Sequence, residues 1–444
     1  MRLASADLDL AGLHPALSDP TMRSMTFLNE IADRHPGAIS FAPGRPYDGF
    51  FELPALDRYF QLFVRHSIEH KGLTSDQLAR QMFQYGRTKG IIHDLIARHL
   101  AVDEGMHVDP ESIVVTVGCQ EAMLLVLLAL RSGPDDVVLA VEPTYVGLAG
   151  SAALAGLPVM PVRDGPDGID LEHLEGQIGA ARAAGRRPRA LYVVSDFANP
   201  SGKVLPLRAR HGLLEVASAS GVLVLEDNPY RLFGDSDGAL PTLKALDRDR
   251  TVVHLGSLSK SCLPGARIGY AVADQEIVQP GGARTLFADE LAKVKSMVTV
   301  NTSPIVQAIA GGRLLEHGCS LVAGNAREIE VYRRNRRVLL DALAASFPAG
   351  GSTGVTWTAP EGGFFVVLSV PFEADAEALD ESAREFGVLW TPMRDFYRFG
   401  GGARQLRLSC STLEPRGITD GVRRLAAFVE RRTAHLGGGR SVAT

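Results

Sequence analysis

Lys260 closes the run Ser257-Leu258-Ser259-Lys260, and Arg267 follows seven residues later, beyond Pro264 and Gly265. Of the 46 Lys plus Arg residues only seven are lysines (Lys71, Lys89, Lys203, Lys244, Lys260, Lys293 and Lys295). A lysine kept between two serines in so arginine-rich a chain suggests a task that arginine cannot perform. A lysine amine can lose its proton and condense with a carbonyl. Hydroxyls and a guanidinium beside it suit a phosphate dianion. The local pattern therefore points to a ligand with both a carbonyl and a phosphate, and a basic surface loop explains it equally well.

The elements that would position these residues are legible as alternation. Short β-branched runs occur at 112–117, 136–141, 157–162, 190–195, 221–227, 251–256 and 267–273, with helical or turn-rich stretches between most of them. Runs so continuously apolar predict an α/β fold, a largely parallel seven-stranded sheet covered on both faces. Only a loop separates the last two runs, so one edge strand is expected to be antiparallel. In such a sheet ligands gather outside the carboxyl ends of the strands.

Those ends carry a coherent set of groups. Gly118-Cys119-Gln120 opens a helix, where exposed backbone N–H groups favour an anion. Tyr145, in Glu142-Pro143-Thr144-Tyr145, can stack on a flat heteroaromatic ring or serve as a half-buried core residue. Asn199, in Asn199-Pro200-Ser201-Gly202, can donate to a phenolate oxygen, though the turn is ordinary loop chemistry. Asp227 follows an apolar run, where burying a carboxylate costs several kcal/mol without a cationic partner. A pyridinium nitrogen is such a partner. Five neighbouring strand ends thus offer an anion cradle, a ring platform, an amide, a carboxylate and a lysine. The ligand that satisfies all five is pyridoxal 5′-phosphate.

In type, order and spacing, Gly118-Cys119-Gln120-Glu121-Ala122, Pro143-Thr144-Tyr145, Asn199-Pro200-Ser201-Gly202, Glu226-Asp227-Asn228-Pro229-Tyr230 and the run 257–270 resemble the fold-type I pyridoxal phosphate enzymes, in particular class I/II aminotransferases. The resemblance covers nearly the whole chain from about Ala38. It implies that Lys260 joins the cofactor aldehyde and shuttles a proton. It implies too that Asp227 pairs with the ring nitrogen, that Asn199 and Tyr230 hold the phenolic oxygen, and that Tyr145 stacks on the ring. Gly118, Cys119, Gln120, Ser257, Ser259 and Arg267 would surround the phosphate. Tyr85 would reach the phosphate of a neighbouring subunit, giving a homodimer with shared sites. Arg407 would clamp the substrate α-carboxylate, with Gly44 and Asn199 also at the substrate. Cys119 departs from the serine common in relatives, which removes a hydroxyl contact but leaves a backbone one. The loop Gly44–Phe51 departs from the usual sequence as well.

More narrowly, the sequence resembles the dihydroxyphenylglycine aminotransferases of glycopeptide-antibiotic biosynthesis. That likeness implies amino transfer between an amino acid such as tyrosine or glutamate and an aryl 2-oxo acid. Tyr47, Phe50, Phe51 and Phe365 are expected to rim the aryl pocket. The alternatives on the same scaffold are a 2-aminoadipate or aromatic amino acid aminotransferase, an oxidase, hydroxylase, lyase or decarboxylase, and a cofactor-sensing transcription regulator.

Composition agrees with an enzyme of small molecules. The 444 residues are 45% hydrophobic and 22% charged, with net charge −5. This suits two domains with substantial cores and argues against nucleic acid as the main partner. The few residues ahead of the resemblance are not basic, which disfavours the regulator. No apolar run approaches the roughly 18–20 residues of a membrane span, and residues 1–20 show no secretory signal. Cys119, Cys262, Cys319 and Cys410 lie far apart, as expected of free thiols in the cytoplasm rather than a disulfide or metal site. The expected divisions are an arm and part of a small domain at 1–80, a large cofactor domain at 81–320, a small α+β domain at 321–434 and a disordered tail at 435–444.

Overall fold

A computed structural model describes residues 8–20, 22, 34–235, 240–348 and 354–438. All seven expected runs are strands of one sheet: β1 Ile113–Val117, β2 Asp136–Glu142, β3 Val159–Arg163, β4 Arg187–Val193, β5 Leu223–Asp227, β6 Val252–Ser257 and β7 Ile268–Val272. Their spatial order is β1-β7-β6-β5-β4-β2-β3. β2 to β6 pair in parallel, whereas β7 is antiparallel to both β1 and β6. The expectation of an antiparallel edge strand is thus corrected: the reversed strand lies inside the sheet, and β1 forms the edge. The tight β6–β7 connection dictated the reversal, but nothing local revealed that β1 would pair beyond it.

Both faces are covered, which is why the strands are apolar on both sides. The leucine-rich helix α2, Cys119–Leu130, packs against one face with Val138, Ala140, Leu225 and Leu255. Leu174, Ile178, Leu213 and Ala217 cover Leu139, Leu191 and Val224 on another.

A second, antiparallel sheet is formed by β8 Thr356–Trp357, β9 Phe365–Ser369, β10 Thr391–Pro392 and β11 Gln405–Ser409, in the order β8-β9-β11-β10. Helices α4, Ala326–Ser346, and α5, Pro415–Gly438, pack on it through Leu339, Leu343, Val422 and Phe428. Ile39–Ser40 pairs with Val388–Leu389, and Phe41 and Ala42 enter this same core. Helix α1, Leu53–Glu69, instead buries Tyr59 and Phe63 and lies along α3, Pro304–Glu316. Residues before 81 therefore belong to two different packing groups.

α5 runs on to Gly438, past the point where the tail was expected to begin, and 439–444 lie outside the described residues. No helix among the described residues is long and apolar enough to cross a membrane.

Trp390 is fully buried in the small-sheet core, and its indole N–H donates to Ser382 Oγ at 3.1 Å. Trp390→Ala is expected to cost about 3–5 kcal/mol, read as a lower urea midpoint of unfolding.

Candidate active site

The strand ends converge on a cavity of about 410 Å³ between the two sheets. Of the residues expected at the site, Gly44, Cys119, Gln120, Tyr145, Asn199, Asp227, Tyr230, Ser257, Ser259, Lys260, Arg267 and Arg407 all line it. Gly118 stands just behind, at φ +77°, where a Cβ would overlap the Arg267 guanidinium. Gly269 allows a similarly close approach, because a Cβ there would strike the backbone of Gly118 and Cys119. Tyr85 lies apart from this cavity, 86% exposed.

Asp227 terminates β5 and is 5% exposed. Its carboxylate accepts from Tyr192 Oη at 2.6 Å and Cys119 Sγ at 3.6 Å, and among the described residues no ion pair reaches it. Burial raises its pKa, while the Tyr192 and Cys119 hydrogen bonds pull it back. A buried carboxylate served only by neutral donors leaves a place for a cation.

Lys260 Nζ donates to the Gly44 carbonyl at 2.9 Å and lies 6.0 Å from the Tyr230 ring centroid. Burial first, then the positive charges of Arg267 and Arg407, lowers its pKa to about 8. The amine is thereby brought within reach of its neutral, nucleophilic form near neutral pH.

The anion cradle combines a helix start with a hydroxyl–guanidinium pair. At the start of α2 the Cys119 and Gln120 N–H groups precede the first helical hydrogen bond, whereas the Glu121 N–H already donates to Gly118 O at 3.2 Å. Arg267 Nη1 donates to Ser259 Oγ at 3.0 Å, and Ser257 Oγ accepts from the Ser259 N–H at 3.3 Å. Arg267 takes up a left-handed backbone, φ +52°, the kind of outlier that clusters at ligand clamps. Gln120 uses its side-chain amide on Gly147 O and Ser151 Oγ at 2.8 and 2.7 Å, so what it offers an anion is its backbone N–H. The Cys119 thiol likewise points to Asp227, not into the cradle.

At the other end, one Nη of Arg407 donates to Asn199 Oδ1 at 2.6 Å and the other to Ala42 O and Thr391 Oγ1 at 2.7 and 3.2 Å. Its Nε is buried without a partner, and the guanidinium lies 4.4 Å from the Phe365 ring and 5.1 Å from that of Phe396. Burial lowers its pKa to about 10. It remains a buried cation with no carboxylate of its own, suited to one brought by a ligand.

The aromatic rim expected for an aryl group is not assembled here. Tyr47, Phe50 and Phe51 line a neighbouring cavity, and Tyr47 Oη donates to Glu414 at 2.6 Å. Phe365 packs beneath Gly44 and Arg407. The apolar wall of the site cavity comes instead from Met123, Val146, Val194 and Phe396. Sequence reading missed Tyr192 and Phe396, which follow no motif; the β4–β5 register opposes Tyr192 to Leu225, two residues short of Asp227.

The donor set fits pyridoxal phosphate: an uncompensated buried carboxylate, a depressed lysine, a phosphate-sized cradle and a ring platform in Tyr145. The family profile described as "Aminotransferase class I and II" matches residues 69–425. The chain belongs to this family. Among its relatives, a (S)-3,5-dihydroxyphenylglycine transaminase of Amycolatopsis orientalis is 50% identical over 428 residues, covering 96% of each chain. A 2-aminoadipate transaminase of Thermus thermophilus is 32% identical, covering 88% of this chain and 90% of its own. A solved α-aminoadipate aminotransferase from Thermus thermophilus, complexed with N-(5′-phosphopyridoxyl)-L-leucine, superposes with a TM-score of 0.76 at 29% identity, covering 96% of this aminotransferase and 100% of that chain.

Because the Lys260 amine is charged below about pH 8 and neutral above it, loading of pyridoxal phosphate onto the cofactor-free protein should accelerate as pH rises through that value, then level off. Arg407→Gln removes one neighbouring positive charge, so the midpoint should move up toward the ordinary lysine range. Absorbance-monitored loading rates across pH check both.

Proposed function

We propose that this aminotransferase uses pyridoxal phosphate to move an amino group between an amino acid donor, tyrosine- or glutamate-like, and an aryl 2-oxo acid, forming an arylglycine such as dihydroxyphenylglycine. The observation that carries the substrate is the 50% identity, over 96% of the chain, to a (S)-3,5-dihydroxyphenylglycine transaminase. The apolar wall beside Arg407 accords with it.

When bound, the cofactor supplies an electron-accepting ring that stabilises negative charge at the substrate α-carbon. In this reading Lys260 would hold the cofactor at its aldehyde and, as a free amine, would take up and carry the proton of the substrate α-carbon. Asp227 keeps the ring nitrogen protonated. Tyr145 supports the ring face, and Asn199 and Tyr230 donate to the phenolic oxygen. Ser257, Ser259, Arg267 and the N–H groups of Cys119 and Gln120 hold the phosphate. Arg407 binds the α-carboxylate through its guanidinium, beside Asn199 and the Gly44 backbone. Fixing the carboxylate and the ring separately leaves the α-hydrogen facing Lys260, which is the orientation that proton transfer needs.

The reading includes a homodimer with shared sites. Tyr85 and Phe83 are 86% and 85% exposed, and Gly86 lies against Asn301 and Pro304. Large aromatic side chains left this exposed suit contact with a second copy of the chain. Free thiols at Cys119, Cys262, Cys319 and Cys410 accord with a cytoplasmic enzyme.

Stoichiometric conversion of the bound cofactor to pyridoxamine phosphate on adding a donor tests transamination. A kcat/KM higher for arylglyoxylates than for acidic 2-oxo acids is expected; the reverse order would overturn the aryl assignment. Lys260→Ala should lower the rate by about 10²–10⁴ or more while the phosphate contacts still retain cofactor. Mixing inactive Lys260→Ala chains with Tyr85→Ala chains should restore activity, because a mixed dimer would contain one site with both residues; no recovery on subunit exchange would rule out sharing through Tyr85.

A further inference from the structure

Tyr192 has no part in the proton transfer by Lys260, yet its hydroxyl occupies a deliberate place. The residue is 1% exposed, next to last in β4, and its short 2.6 Å hydrogen bond to Asp227 Oδ2 runs from one strand to the next. Packing alone would be met by phenylalanine. A phenol carries a polar group into the sheet that must be satisfied there, and Asp227 is the acceptor that satisfies it. The other carboxylate oxygen receives only the weaker Cys119 thiol at 3.6 Å. Around this carboxylate the remaining titratable groups are Tyr145, Tyr230, Lys260 and, on the neighbouring strand β6, His254, whose Nδ1 lies 3.2 Å from Glu226 Oε2. None of them replaces the phenol as a donor to Oδ2.

A carboxylate that pairs with a ring nitrogen shares one proton with it. Where that proton sits depends on the relative proton affinities of oxygen and nitrogen. Burial strengthens the affinity of the oxygen, and donors to the carboxylate weaken it. Left with burial alone, the carboxyl would take the proton and leave the ring nitrogen neutral, which is the state least able to accept electrons.

We propose that Tyr192, with Cys119 as a weaker second donor, is a positioning residue that holds the shared proton on the cofactor's ring nitrogen by lowering the proton affinity of Asp227. The phenol also fixes the carboxylate plane through Oδ2 and leaves Oδ1 with only the weak Cys119 donor. Cys119 then has a function that its serine-bearing relatives would execute differently: it tunes the carboxylate, while its backbone N–H serves the anion cradle.

The proposal rests on the cofactor assignment above, and the experiment separates the two. The holoenzyme is loaded with pyridoxal phosphate labelled with nitrogen-15 in the ring, and the nitrogen chemical shift is read at a fixed pH near neutrality. The wild type should show a protonated ring nitrogen. Tyr192→Phe should shift the ratio of protonated to neutral nitrogen by at least about tenfold toward neutral, the scale of one hydrogen bond to a charged group. Cys119→Ala should move it the same way by less, and the double variant further than either. Adding Cys119→Ser to Tyr192→Phe should recover part of the protonation, because a hydroxyl donates more strongly than a thiol. A loaded Tyr192→Phe enzyme with the wild-type nitrogen shift overturns the proposal. If Tyr192→Phe does not fold, Cys119→Ala decides: no movement of the ratio overturns it. A wild-type chain that takes up no cofactor overturns the assignment beneath it instead.

Discussion

The constraint on which the site depends is the burial of the Asp227 carboxylate without a cation of its own. Such a charge is tolerated only if something else completes it. The sheet supplies two neutral donors, Tyr192 and Cys119, and leaves room for a positive group brought by a ligand. Much of the surrounding architecture maintains that imbalance. β5 is a central strand, so its carboxyl end is shielded by β4 and β6 on either side, and α2 lies over it with its first turn at the cavity.

The positive groups are arranged to the opposite effect. Lys260, Arg267 and Arg407 line one cavity, and the two arginines help depress the lysine. Each guanidinium is held by neutral oxygens: Ser259 for Arg267, and Asn199, Ala42 and Thr391 for Arg407. Carboxylate partners would have quenched the charges before a phosphate or a substrate arrived. Neutral ones fix orientation and leave the attraction intact. The uncompensated acid and the unquenched bases are thus two aspects of one design, in which the ligand completes the ion pairs.

Much of this was legible in the sequence because residues at strand ends obey a simple rule. Apolar runs mark the strands, and the residues just past the carboxyl end of each run must sit on the ligand side. Lys260, Asp227, Asn199, Tyr145 and the Gly118 turn were found that way. The features that were not legible depend on pairing across the sheet. Tyr192 reads as one more apolar strand residue until β4 is set beside β5. The place of β7 inside the sheet could not be read from its own residues. Tyr47, Phe50 and Phe51 are close in sequence to Gly44, yet together with Pro46 they line a different cavity. Gln120 and Cys119 line the cavity, yet their side chains serve Gly147, Ser151 and Asp227 in preference to an anion.

The reversed direction of β7 gives the loop 258–267 an unusual boundary condition. Ser257 pairs with Gly269 and Val117 with Ile268, so the loop leaves and re-enters the sheet on the same rim. It is a closed span with both feet fixed, and Lys260 and Arg267 ride on it at opposite ends. A change in the length of that span would displace the amine and the guanidinium relative to each other, whereas a change in any other connection of the sheet would carry them along together. The seven-residue interval therefore sets the spacing between amine and guanidinium, and it leaves little freedom for insertion or deletion.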